Sequence, residues 1–218
     1  MSPSRKYQVA TGVEAETEPG SRGRVQRNQL GITRKRDMDR AEYQALLHAQ
    51  EAYLHRVGPR TRFSARLICT MHRDWLGNIY AWAGRYRTVE LEKEGFRWPP
   101  AYLVKQNMLA FEQVQLRRLT PCRPGQLAAI SRQIAEVHGE LLLIHPFRDG
   151  NGRLARWLAD LMALQAQLPA PDYGFLGRGA QRQRERYLNA IGQAYVQDYR
   201  FLADFFADAI ERQVRRLA

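Results

Sequence analysis

At 218 residues the chain is long enough to bury one well-packed domain, with or without a tail. Its hydrophobic fraction of 44% excludes global disorder, two cysteines exclude a disulfide scaffold, and no apolar run reaches the roughly eighteen residues of a membrane-spanning helix. The net charge of +12 is carried almost wholly by arginine, since Lys6, Lys35, Lys93 and Lys105 are the only lysines, and it suits either a polyanionic ligand or simply solvated faces.

Residues 1–30 hold few apolar side chains and scattered Gly, Pro and Ser, so they are expected to form a flexible or loosely docked arm ahead of a domain over 31–218. The start is basic and polar without a signal-peptide apolar core; a cytoplasmic location is the default expectation, with secretion into a host cell left open. Asp39 and Glu42 have the spacing of a capping box, and Tyr43, Leu46, Leu47, Leu54 and Val57 supply an apolar stripe for a first helix. Ser64 is placed to cap a second, whose buried face takes in Leu67, Ile68, Met71 and Trp75. The period then changes: Val89, Leu91, Phe96 and Trp98 surround Glu-Lys-Glu-Gly, which predicts a β-hairpin over about 88–98. Pro99 and Pro100 suit the first turn of the next helix, with Leu103, Val104, Met108 and Phe111 inward. Ile130, Ile134, Val137, Leu141 and Ile144 mark the clearest helix, its successor begins near Gly152, and two more are expected at about 180–196 and 199–216. The fold class is therefore all-α, a single helical domain with one hairpin.

The chemistry concentrates in "HPFRDGNGRLAR", His145 to Arg156, between two of these helices. Gly150 and Gly152 let consecutive backbone amides turn toward one point at a new helix N-terminus, where the helix dipole favours an anion. Arg153 and Arg156 share a face of that helix, and guanidinium forks match phosphate oxygens; Asn151 adds a neutral amide donor. A carboxylate beside phosphates is repulsive unless a cation intervenes, so Asp149 suggests Mg²⁺ held between carboxylate and phosphates. His145 offers a base for a hydroxyl nucleophile. The four residues "GNGR" alone describe no more than a tight turn with a capping asparagine; the full pattern describes a site for attack on phosphorus.

The twelve residues resemble the signature of the Fic domain family, His-x-Phe-x-Asp/Glu-Gly-Asn-Gly-Arg-x-x-Arg, at every defined position. "MHRDWLGNIYAWAGRYRT" is similar to the family's approach to its hairpin flap and "YLNAIGQAYVQDYRFLADFF" to its later helices, so the likeness covers about residues 40–210. The resemblance implies a protein adenylyltransferase (AMPylator): AMP passes from ATP to a hydroxyl of a target protein and pyrophosphate leaves. It implies His145 as the catalytic base and Asp149 as the Mg²⁺ ligand. Asn151 with the Gly150 and Gly152 amides would lie at the α-phosphate, and Arg153 and Arg156 at the outer phosphates. The flap would dock an extended target segment, with Lys93 and Phe96 as candidate contacts, a charged tip being otherwise merely solvated.

Many relatives carry an inhibitory helix with Ser/Thr-x-x-x-Glu-Gly/Asn. The nearest match here is Thr88 to Glu92, followed by Lys93 and inside the expected hairpin. Either a separate small antitoxin-like partner restrains the enzyme or it is unrestrained; the partner is the expectation, as for the toxin of a toxin–antitoxin pair, and a translocated effector is the other setting. The alternative function is an interaction protein whose loop binds nucleotide, or whose charge binds nucleic acid, without transfer; the intact motif disfavours it. His72 and the His138–His145 pair read as packed histidines rather than metal ligands, Trp75, Tyr80 and Trp82 as core, and Arg178, Arg182, Arg184 and Arg186 as a solvated face.

Overall fold

The inward face of the first helix differs from the expected stripe. In the computed structural model, which describes residues 13–218, α1 runs over Lys35–Arg56. It buries Met38, Glu42, Ala49 and Tyr53, whereas Tyr43, Leu47 and Leu54 are exposed. Asp39 lies inside the helix, paired with Lys35 one turn earlier, and caps nothing. Glu42 is buried: its carboxylate accepts the Tyr80 hydroxyl at 2.6 Å, and its carbonyl accepts the Trp75 indole N–H at 2.9 Å. A buried carboxylate needs such partners, and the helix face that reaches them turns inward.

The described chain divides into two units, residues 13–53, 65–109 and 144–151 forming one, and residues 54–64, 110–143 and 152–218 the other. In the first, α2 (Ala65–Leu76) buries Ile68, Met71, His72 and Trp75, with Leu67 only half-buried. The hairpin pairs β1 (Glu92–Lys93) with β2 (Phe96–Arg97), Glu92 opposite Arg97 and Lys93 opposite Phe96. Glu94 and Gly95 take φ of +52° and +82°, the two positive values a type I′ turn requires. Val89, Leu91 and Trp98 form a buried cluster at its base. A 3₁₀ turn at Ala101–Leu103 then leads into α3 (Val104–Phe111), in which Val104, Met108 and Phe111 are buried.

Of the arm expected over 1–30, residues 1–12 lie outside the described residues. From 13 onward the chain forms a small loop, closed by Glu18 N–H to the Val25 carbonyl and Arg27 N–H to the Glu16 carbonyl. Val25 is buried, and Gln29 N–H bonds the Ile79 carbonyl.

In the second unit a π-helical turn at Glu112–Leu116 continues α3 into the short α4 (Arg117–Leu119). There follow α5 (Leu127–Ile144), α6 (Asn151–Gln165), α7 (Ala180–Ala194) and α8 (Arg200–Leu217). Ile130, Ile134, Val137 and Leu141 are buried along α5 at the expected spacing, as are Leu154, Trp157, Leu158 and Leu161 along α6. The apolar faces of α7 and α8 pack together around aromatic rings, with Tyr187 5.3 Å from Phe205 and His138 5.1 Å from Phe206. The fold is all-α with one two-stranded hairpin among the described residues. No helix among them is long and apolar enough to cross a membrane.

Candidate active site

Between the end of α5 and the start of α6, residues 145–150 form a tight, buried loop. His145 takes φ +50°, a left-handed conformation that a residue with a β-carbon adopts only at a cost. Its ring centroid lies 4.1 Å from that of Trp98, and its carbonyl accepts Arg87 Nε–H at 2.8 Å. Phe147 is completely buried and stacks on His72. The Asn151 amide closes the loop on Phe147, its Oδ1 accepting the Phe147 N–H at 2.9 Å and its Nδ2 donating to the Phe147 carbonyl at 2.7 Å. This is the capping asparagine of the simpler reading. One of its two Nδ2–H groups is thus engaged in shaping the loop, and the other takes no part in these two bonds.

His72 fixes the far side. Its Nδ1 accepts the Gly84 N–H at 2.8 Å, which leaves the proton on Nε2, and Nε2–H donates to the Asp149 carbonyl at 3.0 Å. Gly150 has φ +85°, and a β-carbon there would stand 2.9 Å from the Trp75 ring, so only glycine fits. The Asp149 carboxylate accepts the Gly150 N–H at 2.6 Å through Oδ1 and faces Gln26 Nε2 at 3.4 Å through Oδ2. Gln26 Oε1 is buried with no hydrogen-bond partner. The Asp149 carboxylate is a hard oxygen donor of the kind that Mg²⁺ takes. Among the described residues no group of three or more His, Cys, Asp or Glu could hold a metal by itself. Arg148, next along the loop, donates through Nε to the Glu14 carbonyl at 2.7 Å, and Glu14 in turn accepts the Thr88 N–H at 3.2 Å.

The motif continues in the second unit as the first turns of α6, whose amide groups have no preceding helical turn to bond. A β-carbon on Gly152 would meet nothing nearer than Arg156 Nη1, at 3.7 Å. Nothing in the fold therefore demands glycine at 152, and the backbone there is open to close approach. Arg153 is half-buried on the same turn. The Arg156 guanidinium lies 5.7 Å from the Phe175 ring centroid and 5.9 Å from that of Tyr187, a cation–π slot between two rings. One turn on, Asp160 accepts the Tyr173 hydroxyl at 2.7 Å. Burial pushes its carboxyl up to about 7, opposed by that hydrogen bond and by the charge of Arg156. His138 is held neutral, at about 3, chiefly by burial and secondarily by Arg156. Its Nδ1–H donates to the Ala155 carbonyl and its Nε2 accepts the Tyr187 hydroxyl, so both nitrogens are engaged away from any metal.

His145, Asp149, Gly150 and Asn151 thus share one loop in the first unit, and Gly152, Arg153 and Arg156 share the helix start in the second. Lys93 and Phe96 face each other across the hairpin, with Lys93 Nζ 3.6 Å from Glu94 and Phe96 partly exposed. Thr88 to Glu92 runs into β1 and is no helix. Trp75 and Tyr80 are core, whereas Trp82 is half-exposed and stacks on Tyr80. Of the arginine cluster, Arg178 and Arg182 are exposed, Arg184 donates to the Phe175 carbonyl, and Arg186 pairs with Asp208 at 2.6 Å. Sequence reasoning assigned no role to Arg87 and read His72 only as packing. The signal available for Arg87 was a charged residue amid the apolar and aromatic side chains of "WAGRYRTV".

An all-α fold with one hairpin, a histidine-bearing loop and a glycine-rich helix start is the architecture of Fic-type proteins. Residues 62–163 match the Fic/DOC family. It is 28% identical over 152 residues to the protein adenylyltransferase VbhT of Bartonella schoenbuchensis, spanning 70% of this chain and 30% of that relative. It is likewise 28% identical over 148 residues to the probable protein adenylyltransferase Fic of Salmonella typhimurium, spanning 65% of this chain and 69% of the relative. With the protein adenylyltransferase Fic of Nematostella vectensis it shares 31% over 149 residues, 67% of this chain and 32% of that one. The alignments with the Bartonella and Nematostella relatives therefore take in less than a third of their length. Among solved structures, the N-terminal Fic domain of a VirB-translocated effector protein from Bartonella sp. AR 15-3 superposes with a TM-score of 0.73 at 16% identity, covering 94% of this chain and 95% of that one. The BepC protein of Bartonella tribocorum, solved with bound AMPPNP, gives 0.69 at 18% identity, covering 84% and 91%.

Proposed function

We propose that the protein transfers AMP from ATP to a hydroxyl side chain of a target protein. The observation that carries the reading is the loop 145–151, buried and braced so that His145 is held against Trp98 while Asp149 keeps a carboxylate oxygen beside Gln26. The resemblance to relatives named as protein adenylyltransferases supports it.

In this reading the His145 imidazole takes the proton of the target hydroxyl. The hydroxyl oxygen bonds to the α-phosphorus, the bond from that phosphorus to the bridging oxygen breaks, and pyrophosphate leaves. Asp149 would hold a Mg²⁺ ion, whose charge would offset that of the phosphates. The N–H groups at the start of α6, unobstructed at Gly152, meet phosphate oxygens, and Arg153 and Arg156 take the outer phosphates. Asn151 fixes the loop through Phe147 and, with the Gly150 and Gly152 amides, meets the α-phosphate through its remaining N–H. Lys93 and Phe96 on the hairpin meet the target segment. A separate small antitoxin-like partner restrains the activity, since the nearest inhibitory match lies in the hairpin. Co-expression with neighbouring small proteins tests that restraint.

The base assignment is tested with His145→Ala. A positioned base contributes about 10²–10⁴ in rate, so transfer falls by that factor while ATP affinity holds. Transfer at the native rate would overturn it.

A further inference from the structure

Arg87 is an almost fully buried arginine whose partners are backbone groups. Its N–H donates to the Pro146 carbonyl at 2.9 Å and its Nε to the His145 carbonyl at 2.8 Å. Its Nη1 donates to the Val89 carbonyl at 2.9 Å and its Nη2 to the Pro99 carbonyl at 2.6 Å. Val89 and Pro99 flank the hairpin on either side, so one guanidinium ties both feet of the hairpin to the first residue of the motif. Above this tie the Trp98 ring, carried by the same hairpin, lies against the His145 imidazole.

Burial lowers the Arg87 pKa, against which the nearby charges of Glu90 and Glu14 act. Glu90 is itself held by the Ala101 N–H at 2.9 Å, and Glu14 by the Thr88 N–H. A buried cation with carbonyl acceptors is a costly way to hold a fold together, because an apolar residue of similar volume would avoid the desolvation. What an apolar residue would not do is hold the His145 carbonyl in the orientation that accompanies a left-handed His145; the Pro146 carbonyl is held by the backbone N–H of residue 87. The planar fork fixes three acceptors at once, a geometry that the ammonium of lysine does not reproduce.

Building on the transfer reading above, we infer that Arg87 is the positioning residue of the reaction. It couples the hairpin to the base, so that the place of the hairpin sets the aim of the His145 imidazole. Arg87 touches no substrate; it acts through His145 and Trp98.

The test uses the full chain carrying Arg87→Lys, with Arg87→Gln as a second variant that buries no charge should lysine not be tolerated. Amide hydrogen exchange is followed without nucleotide over 88–99, over 145–150 and over α8, alongside kcat and KM for α-labelled ATP. Protection over 88–99 and 145–150 is expected to fall together, by about tenfold or more, while α8 is unchanged. Misplacement of a catalytic group by ~1 Å costs about 10² in rate, so kcat falls by that order while KM for ATP moves less than twofold. Loosening of 88–99 with 145–150 still protected would overturn the coupling, as would unchanged kcat in an active enzyme. Equal loss of protection in α8 would reduce Arg87 to a stabilising residue and overturn it too. A wild-type protein that transfers no label brings down the transfer reading alone, because the exchange comparison needs no nucleotide.

Discussion

The imidazole of His72 lies flat against the ring of Phe147, with centroids 3.9 Å apart and planes 6° from parallel. Both its nitrogens are engaged at the same time, one by the Gly84 N–H and the other by the Asp149 carbonyl. Replacing it by phenylalanine keeps the stack and strands both backbone groups. Two unpartnered buried groups cost about 2–4 kcal/mol together, so His72→Phe should unfold at a clearly lower urea concentration. A midpoint equal to that of wild type would mean that the hydrogen bonds carry no weight.

The two motif glycines should part company on substitution. At Gly150 alanine meets the Trp75 ring and an unfavourable φ, which costs at least about 1–2 kcal/mol from the backbone alone. At Gly152 the chain is helical and open, and alanine is favoured by about 1 kcal/mol as a helix former. Gly152→Ala should therefore fold as well as wild type or better and yet bind ATP more weakly. Thermal unfolding and nucleotide titration on the same samples separate the two effects; unchanged ATP affinity in Gly152→Ala would remove the helix start from the binding site.

Asp160 predicts a pH signature. Its carboxyl is at about 7 in the folded protein against the ordinary 3.8 of the unfolded chain. The folded state thus holds the proton more tightly, and the stabilisation is complete below pH 4. It is lost as the pH rises through 4 to 7, amounting to roughly 3–4 kcal/mol over that window. Asp160→Asn keeps an acceptor for Tyr173 and never ionises, so the variant should gain on wild type between pH 4 and 7 and hold its lead above. His138 contributes with the opposite slope. Its folded value of about 3 lies below the ordinary 6.5, so its stabilisation is present above pH 6.5 and is lost on acidification. Chemical denaturation of wild type and Asp160→Asn across pH 4–8 checks the difference; parallel curves would count against a buried Asp160 titration.

Asn151→Ala removes both bonds to Phe147 and leaves that backbone pair buried. The cost is about 2–4 kcal/mol, and transfer falls with loop order. Asn151→Asp keeps the acceptor for the Phe147 N–H but sets a carboxylate against the Phe147 carbonyl, and should be nearly as damaging. Exchange protection at residues 145–150 is the direct measure. A fall in ATP affinity with full loop protection would favour a phosphate contact for Asn151.

The helices were legible because their buried positions repeat at helical spacing, as Ile130 through Leu141 do, and the hairpin because Glu-Gly demands a tight turn. The motif was legible as residue types in a fixed order. What stayed hidden depended on partners far along the chain. Arg87 bonds a carbonyl 58 residues away, His72 one 77 away, and Glu42 meets Trp75 across 33. A polar side chain that turns inward to a distant carbonyl leaves no period in the sequence. For α1 the same cause swung the whole helix, burying Glu42 and leaving Tyr43, Leu47 and Leu54 exposed. For Asn151 the reason is related: its two bonds to Phe147 show only once that backbone is placed.

In the proposed transfer a hydroxyl attacks the α-phosphorus and its proton passes to His145. Purified protein is incubated with cell lysate, Mg²⁺ and ATP labelled at either the α- or the γ-phosphate, beside His145→Ala. Protein-bound label from the α position alone, absent in the variant, is the predicted result. Label from the γ position, or α label that persists without His145, would contradict it.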